Sequence, residues 1–406
     1  MSTTARPGTD ATTGPADASR PWRVVPAPPV PDATDAPDAW AYAGIAEVGR
    51  RVELDRWGWT DLHAPTAVLL GTLRANPYRD VAVWVAVTEG DGTGDGTDGT
   101  APAAGDVVGY ASALLPLTAN THTAQLEVAV HPDHRGRGVG TALLAAAEDH
   151  VRAAGRTTTL TWSGVRPEPE PGPGALTAPT GTGRVPADAP AVRFALARGY
   201  ALEQVERYSV LELQDDPAPG TAGDLPTADD RAALLAAARA HAGADYRTHT
   251  WRDELPEDRL DDLAELWTRM STDVPLGGLA LEEDRWDADR VRTLLDRMAQ
   301  RRQHVLLTAA EHVPTGRLAA FTWLQVPIPE VPFAFQEDTL VLREHRGHRL
   351  GMLVKGVNLE AFTAWRPAAR RIHTWNAQEN DHMLAINVAL GFRQAGVEAA
   401  WQRTGL

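Results

Sequence analysis

The sequence predicts an α+β chain in which one domain, a mixed and mostly antiparallel sheet flanked by helices, occurs as two tandem copies. Three observations lead there. The chain has 406 residues, too many for one ordinary domain and comfortable for two of roughly 180–200 residues each. A segment near residue 130, QLEVAVHPDHRGRGVGTALLAAAEDHVRAAG, has a counterpart near residue 340, FQEDTLVLREHRGHRLGMLVKGVNLEAF. In both, an apolar strand carrying a carboxylate passes through a polar turn and His-Arg-Gly into an apolar helix; aligning Arg135 with Arg346 places Glu127 over Asp338. Each copy also closes alike, in ARGYALEQVERYSVLEL (Ala197–Leu213) and ALGFRQAGVEAAWQR (Ala389–Arg403). There a helix ends at a glycine suited to the C′ position, an aromatic follows, and strands complete the domain.

Taken in order, residues 1–37 read as an unstructured tail, 38–215 as the first copy, 216–230 as a linker rich in Asp, Pro and Gly, and 231–406 as the second copy. Copy one has helical segments between about Asp38 and Asn76, and its opening strand is not visible. Two strand-like runs follow, VAVWVAV (Val81–Val87) and VVGYASALL (Val107–Leu115), joined by the Gly/Asp/Thr-rich stretch Glu89–Asp106 as an enlarged hairpin loop. After the motif strand and helix comes Arg166–Pro190, whose proline density argues against helix and central strand alike. Loops of this composition are expected to bury little, so shortening 91–104 or 166–188 should leave the fold intact. Copy two has a strand at Tyr246–Trp251, helices over Leu260–Met270 and Ala288–Arg302, and strands at His304–Ala309 and Leu318–Val326.

Composition narrows the function. At 43% hydrophobic and 23% charged residues the chain can bury two cores, and no apolar run approaches the roughly 20 residues that span a bilayer. The first twenty residues lack the apolar stretch of a secretory signal, so a cytoplasmic protein with no membrane partner is expected. Absence of cysteine excludes disulfides, thiolate metal sites and a cysteine nucleophile. The histidines show no metal-ligand spacing, so no metal is expected. A net charge of −15 argues against nucleic acid, which needs a positive face, and suits a cationic amine.

The chemistry concentrates in Arg135-Gly136-Arg137-Gly138-Val139-Gly140, between a strand ending at Val130 and a helix beginning near Gly138. Closely spaced glycines let backbone approach a ligand, and the amides and dipole of a helix N-terminus attract an anion such as a pyrophosphate. Arg135 or Arg137 can add a charge-assisted contact. The spacing differs from G-x-G-x-x-G, and the preceding strands read as an antiparallel meander rather than a βαβ unit.

Arg135-x-x-Gly138-x-Gly140, with its V-x-P-x-x-R-G lead-in, resembles the R/Q-x-x-G-x-G/A signature of the GNAT (Gcn5-related N-acetyltransferase) superfamily. Copy two repeats it as Arg346, Gly347, Arg349 and Gly351, with arginine in the place of the middle glycine. HTWNAQENDHMLAINVALGF (His373–Phe392) resembles the family's closing strand, asparagine and helix, with Asn376 and Asn380 placed to meet a pantetheine arm. In two-copy architecture the chain also resembles mycothiol synthase.

The resemblance implies acetyl-CoA as co-substrate, its pantetheine lying between two splayed strands and pairing with the backbone of the motif strand, at Val128 and Val130 in copy one and Leu340 and Leu342 in copy two. It implies a strand carboxylate as base, Glu127 or Asp338; by strand alternation Glu337 should point the other way. The tyrosine many members use as general acid is replaced by Ala195 and Asn387, which leaves Tyr200, Tyr208, Tyr246 or water. The acceptor commonly binds in the loop that Met270–Leu279 would form, which makes Ser271, Thr272 and Asp273 substrate candidates. His134 and His345 read as caps of the turn, and Trp57, Trp59, Trp286 and Trp323 as core in preference to walls of the acceptor clefts. The expected activity is N-acetyl transfer to a primary amine of a small molecule by direct attack. The alternatives are a protein or peptide acetyltransferase, and a CoA-binding structural or sensing module in which one or both domains do not turn over.

Overall fold

A computed structural model describes residues 21–88, 102–213, 226–328 and 330–406. The first half of the chain forms β1 (Trp22–Pro26), α1 (Trp40–Trp57), α2 (Thr66–Thr72), β2 (Arg79–Thr88), β3 (Val107–Pro116), β4 (Thr123–Val130), α3 (Val139–Ala153), β5 (Thr158–Val165), β6 (Ala175–Thr177), β7 (Arg184–Pro186), α4 (Pro190–Ala197) and β8 (Ala201–Glu212). The second forms α5 (Ala228–Ala242), β9 (Tyr246–Arg252), α6 (Leu260–Asp273), α7 (Ala288–Gln300), β10 (Gln303–His312), β11 (Arg317–Pro327), β12 (Phe333–Val341), α8 (Leu350–Trp365), β13 (Arg371–Ala377), α9 (Asp381–Leu390) and β14 (Arg393–Thr404). No helix among the described residues is long and apolar enough to cross a membrane.

Strand exchange organises the molecule. A single twelve-stranded sheet runs β1-β2-β3-β4-β5-β14-β8-β13-β12-β11-β10-β9. The last strand of each half thus lies in the other half's part of the sheet: β14 pairs with β5, and β8 with β13. The two exchanged strands pair antiparallel at the centre, where Glu206 lies opposite Glu398.

Within each half the motif strand pairs antiparallel with its predecessor and only briefly, in parallel, with its successor. In copy one the parallel ladder covers Thr123–Gln125 against Thr158–Leu160; in copy two it covers Phe333–Phe335 against Arg371–His373. Both strands continue beyond the last pair without pairing further, which opens the sheet at equivalent places in the two halves.

The cores follow the helical periodicity. Leu143, Ala147 and Val151 of α3 lie on one helix face and pack with Ala111, Ala113 and Leu126, while Ile45, Val48 and Val52 of α1 form a separate cluster with Val85, Val87 and Val107. In copy two, Leu350, Leu353 and Val354 of α8 meet Ala319, Ala320 and Leu235. There Leu263, Leu266, Val291 and Met298 of α6 and α7 pack with Leu307, Phe321 and Leu340.

Three expectations need correction. The opening strand of copy one is β1, within the segment read as a tail; it pairs Trp22–Pro26 with Trp84–Thr88. Helix α5 begins inside the segment read as a linker, where the Thr227 side chain accepts from Asp230 N–H and the Asp230 carboxylate accepts from Thr227 N–H. The proline-rich stretch is not loose: β6 and β7 form a hairpin, Val185 and Ala178 are buried in the copy-one core, and Glu168 accepts from Gln378 and Gln394. Most of Glu89–Asp106, and 216–225, lie outside the described residues.

Candidate active site

The two glycine turns superimpose residue for residue in conformation. After a short 3-10 turn (Pro132–His134), Gly136 and Gly138 take φ of 75° and 82°, and Gly138 caps α3. After the equivalent turn (Arg343–His345), Gly347 and Arg349 take φ of 90° and 56°, and Arg349 caps α8. A left-handed conformation costs a residue with a side chain roughly 1–2 kcal/mol, so the geometry is retained in copy two against a local penalty. A Cβ on Gly136 or Gly347 would meet nothing within 4 Å, whereas Gly140 lies 3.4 Å from Val130 and Gly351 3.0 Å from Ile386 on the same measure. The outer two glycines therefore face open space and the inner two face packing.

The arginines divide differently from the expectation. Arg135 donates from Nε to the Val130 carbonyl at 3.3 Å and pairs with Asp55 of α1 at 2.7 Å. Arg346 matches it, donating to the Val341 carbonyl at 3.3 Å and pairing with Asp273 of α6 at 2.9 Å. Both brace the turn against a helix of their own half, α1 or α6, rather than standing free for a phosphate. Arg137 and Arg349 are exposed with no side-chain partner among the described residues, which makes them the cations available at the two turns.

Asp338 lies just beyond the point where the β12–β13 ladder ends. Trp267 on α6 and Trp323 on β11 donate their indole N–H groups to its Oδ2 at 3.1 and 3.3 Å. Burial pushes its carboxyl above the usual range, opposed by those two donors. The Glu337 side chain does not simply alternate away. The β11–β12 register slips between Thr322 and Leu324, so that Glu337 and Asp338 together oppose Trp323, a bulge that disturbs strand alternation. Desolvation of its carboxyl end and the neighbouring Asp338 charge push Glu337, exposed as a whole residue, above its ordinary range, against the pull of Arg301.

Glu127 sits in an unbroken β3–β4 register and accepts from Tyr110 Oη at 2.5 Å. The phenol is pushed well above its ordinary pKa by burial and by Glu127. Two carboxylates join Glu127 electrostatically. Burial raises Glu53 on α1, and burial raises Glu398 to about 7, with Glu53 and Glu127 adding to the effect. Sequence reading missed Glu53 and Glu398 here, because Glu398 arrives on the strand exchanged from the other end of the chain. It also missed Trp267, an unremarkable position in an amphipathic helix.

The remaining candidates are largely occupied. Asn376 accepts from Asn387 Nδ2 at 2.6 Å, and the Asn380 side chain caps α9 by accepting from Met383 N–H. Asn387, at the position of the missing tyrosine, thus orders the closing strand. Ser271, Thr272 and Asp273 are the last turn of α6, not a loop: Ser271 and Thr272 donate to the carbonyls of Thr268 and Arg269, while Asp273 holds Arg343 and Arg346. Leu340 and Leu342 are buried in the core, so they offer a ligand backbone only, and Val128 and Val130 pack partly against the copy-one core. Tyr200 donates to Glu148, Tyr208 bonds His373 and Tyr246 bonds His345. A cavity lined by Arg269, Thr272, Asp273, Glu283, Leu342, Arg343 and Glu344 lies beside the copy-two turn.

Comparison with known proteins agrees with this geometry. A profile of the acetyltransferase (GNAT) family matches residues 67–170, within copy one. A solved tandem GNAT protein from the clavulanic acid biosynthesis pathway is 26% identical; the alignment covers 95% of this chain and 99% of that one, with a TM-score of 0.66. A GCN5-related N-acetyltransferase from Sphaerobacter thermophilus is 14% identical over 94% of this chain and 95% of its own, at a TM-score of 0.55. The N-myristoyltransferase of Saccharomyces cerevisiae, 11% identical over 98% of this chain and 84% of its own, shares the fold at a TM-score of 0.53. No curated protein sequence matches the chain.

Proposed function

Starting from a chain that is a tandem member of the GNAT superfamily, we propose that it transfers an acetyl group from acetyl-CoA to the primary amine of a small-molecule acceptor. The observation that carries this reading is Asp338, a desolvated carboxylate held by two indole N–H groups where β12 parts from β13, on the strand that leads into an anion-type turn. Burial makes it a stronger base than a surface carboxylate, which suits proton abstraction near neutral pH. The amine nitrogen attacks the thioester carbonyl, its proton passes to Asp338 directly or through water, and the C–S bond breaks to release CoA, whose thiolate takes a proton from water. The exposed turn amides, with Arg137 or Arg349, would meet the pyrophosphate.

The small amine acceptor is supported by the net charge of −15 and by the carboxylates gathered near both openings. The tandem GNAT relative from the clavulanic acid biosynthesis pathway points the same way. Both copies are read as binding acyl-CoA, and copy two as carrying more of the turnover, because Asp338 is the more deeply desolvated base.

The test is CoA-thiol release from acetyl-CoA by the purified protein against amines, aminoglycosides and peptides. With a turned-over acceptor in hand, Asp338→Asn should lower kcat by about 10²–10⁴-fold while Glu127→Gln changes it little. The reverse result moves the active site to copy one, and no effect from either removes both from the mechanism.

A further inference from the structure

Where the two halves meet beside the copy-two opening, three arginines collect with no ion-pair partner among the described residues. Helix α2 and the end of α7 pack closely: a Cβ on Gly71 would lie 2.5 Å from the Gln300 carbonyl oxygen and 2.7 Å from Arg301 N. On the same seam the Arg290 guanidinium lies over the Tyr78 ring at 5.0 Å, while pairing with Asp284. Arg79, Arg297 and Arg301 have no such partner. Arg79 is 9% exposed and donates one Nη to the Thr72 carbonyl. The Nε atoms of all three are buried with no hydrogen-bond partner, and none of the three forms an ion pair among the described residues.

Burial and mutual repulsion act on the group together. After desolvation, Arg297 is lowered further by Arg79 and Arg301, and Arg79 by Arg301. A guanidinium keeps its proton in proteins, so the cluster stays cationic and is relieved by an anion instead. Glu337 on β12 influences Arg301 without forming an ion pair with it.

We propose that Arg79, Arg297 and Arg301 form an anion-binding site between the two halves, taking the carboxylate or phosphate group of a small molecule through charge-assisted, forked hydrogen bonds. The site stands independently of the acyl-transfer reading. Its membership is shared, with Arg79 from the first half and Arg297 and Arg301 from the second, so the ligand bridges them.

Thermal unfolding of the full chain tests this, with inorganic phosphate or acetate exchanged for chloride at constant ionic strength. A saturable rise in Tm with one of them is expected, phosphate alone marking a phosphate ligand and acetate a carboxylate one. In the double variant Arg297→Gln/Arg301→Gln the apparent affinity should fall by about tenfold or more, the loss of at least one charge-assisted bond, and the unliganded protein should be no less stable. Arg297→Gln alone, which removes a half-buried group with no partner, supplies the same comparison should the double variant fail to fold. No saturable rise with either anion overturns the proposal, as does a rise that persists unchanged in the variants, which would place the anion at the glycine turns.

Discussion

Gly138 and Arg349 hold the same left-handed position at the head of their helices, one with no side chain and the other with a long one. Gly138→Ala should therefore cost about 1–2 kcal/mol of stability, read from denaturant unfolding, and weaken acetyl-CoA binding in copy one. Trp323→Phe tests the base. Loss of one donor to the ionised carboxylate raises the Asp338 pKa further, so the acid limb of the kcat/KM profile should move to higher pH; an unmoved limb would detach Trp323 from the titrating group. At this scale much was legible. The glycines, the arginine that replaces one of them, and the paired carboxylates Glu127 and Asp338 are local signals at fixed spacing. What could not be read is how neighbours spend them: Arg135 and Arg346 brace helices through Asp55 and Asp273, partners far away in sequence.

Among elements, the exchanged strands β8 and β14 carry the most consequence. Glu206 and Glu398 oppose each other across them, an arrangement that destabilises when both are charged. Burial, with Glu398 next, pushes Glu206 from 4.5 up to about 8. A carboxyl raised on folding binds its proton more tightly in the native state, so its contribution is present below about pH 4.5 and lost as pH rises through about 8. Glu206→Gln should accordingly stabilise the protein at pH 8.5, on the order of 2 kcal/mol, and do little at pH 4.5; equal Tm gains at both would refute the linkage. On β14, a Cβ at Gly396 would lie 2.5 Å from the Trp57 ring and 2.9 Å from the Val165 carbonyl, so Gly396→Ala should cost about 1–3 kcal/mol by overpacking. The order of strands and helices was readable from periodicity and turns. The bulge that brings Glu337 beside Asp338 was not, because it depends on the register against β11 rather than on β12 itself. The proline-rich stretch was misread for a related reason: its composition looks unpackable, yet Val185 is buried and Glu168 bonds to both Gln378 and Gln394. Shortening 166–188 should therefore lower Tm, contrary to what composition implies.

For the whole molecule, the boundary between the two halves of the chain is not a boundary in the sheet, because β8 and β14 each pair into the other half's part of it. Each half expressed alone would leave β5 or β13 without its neighbour and present a long unpaired strand edge, so residues 1–213 and 226–406 should each aggregate when made separately and recover a soluble, acyl-CoA-binding particle when made together. Two halves that fold singly, by circular dichroism and size-exclusion chromatography, would contradict the exchange. The same topology has a historical reading. Subunits that trade their last strands about a twofold axis make a homodimer, and a peptide joining one subunit's end to the other's start turns that dimer into this chain without altering a single strand pairing. Once joined, the two sites need no longer be identical. One has glycine where the other has Arg349, and one has Glu127 in an unbroken register where the other has Asp338 beside Glu337 in a bulge. In the joined chain the two clefts can differ residue by residue while the shared centre, β8 against β14, obliges them to stand or unfold together.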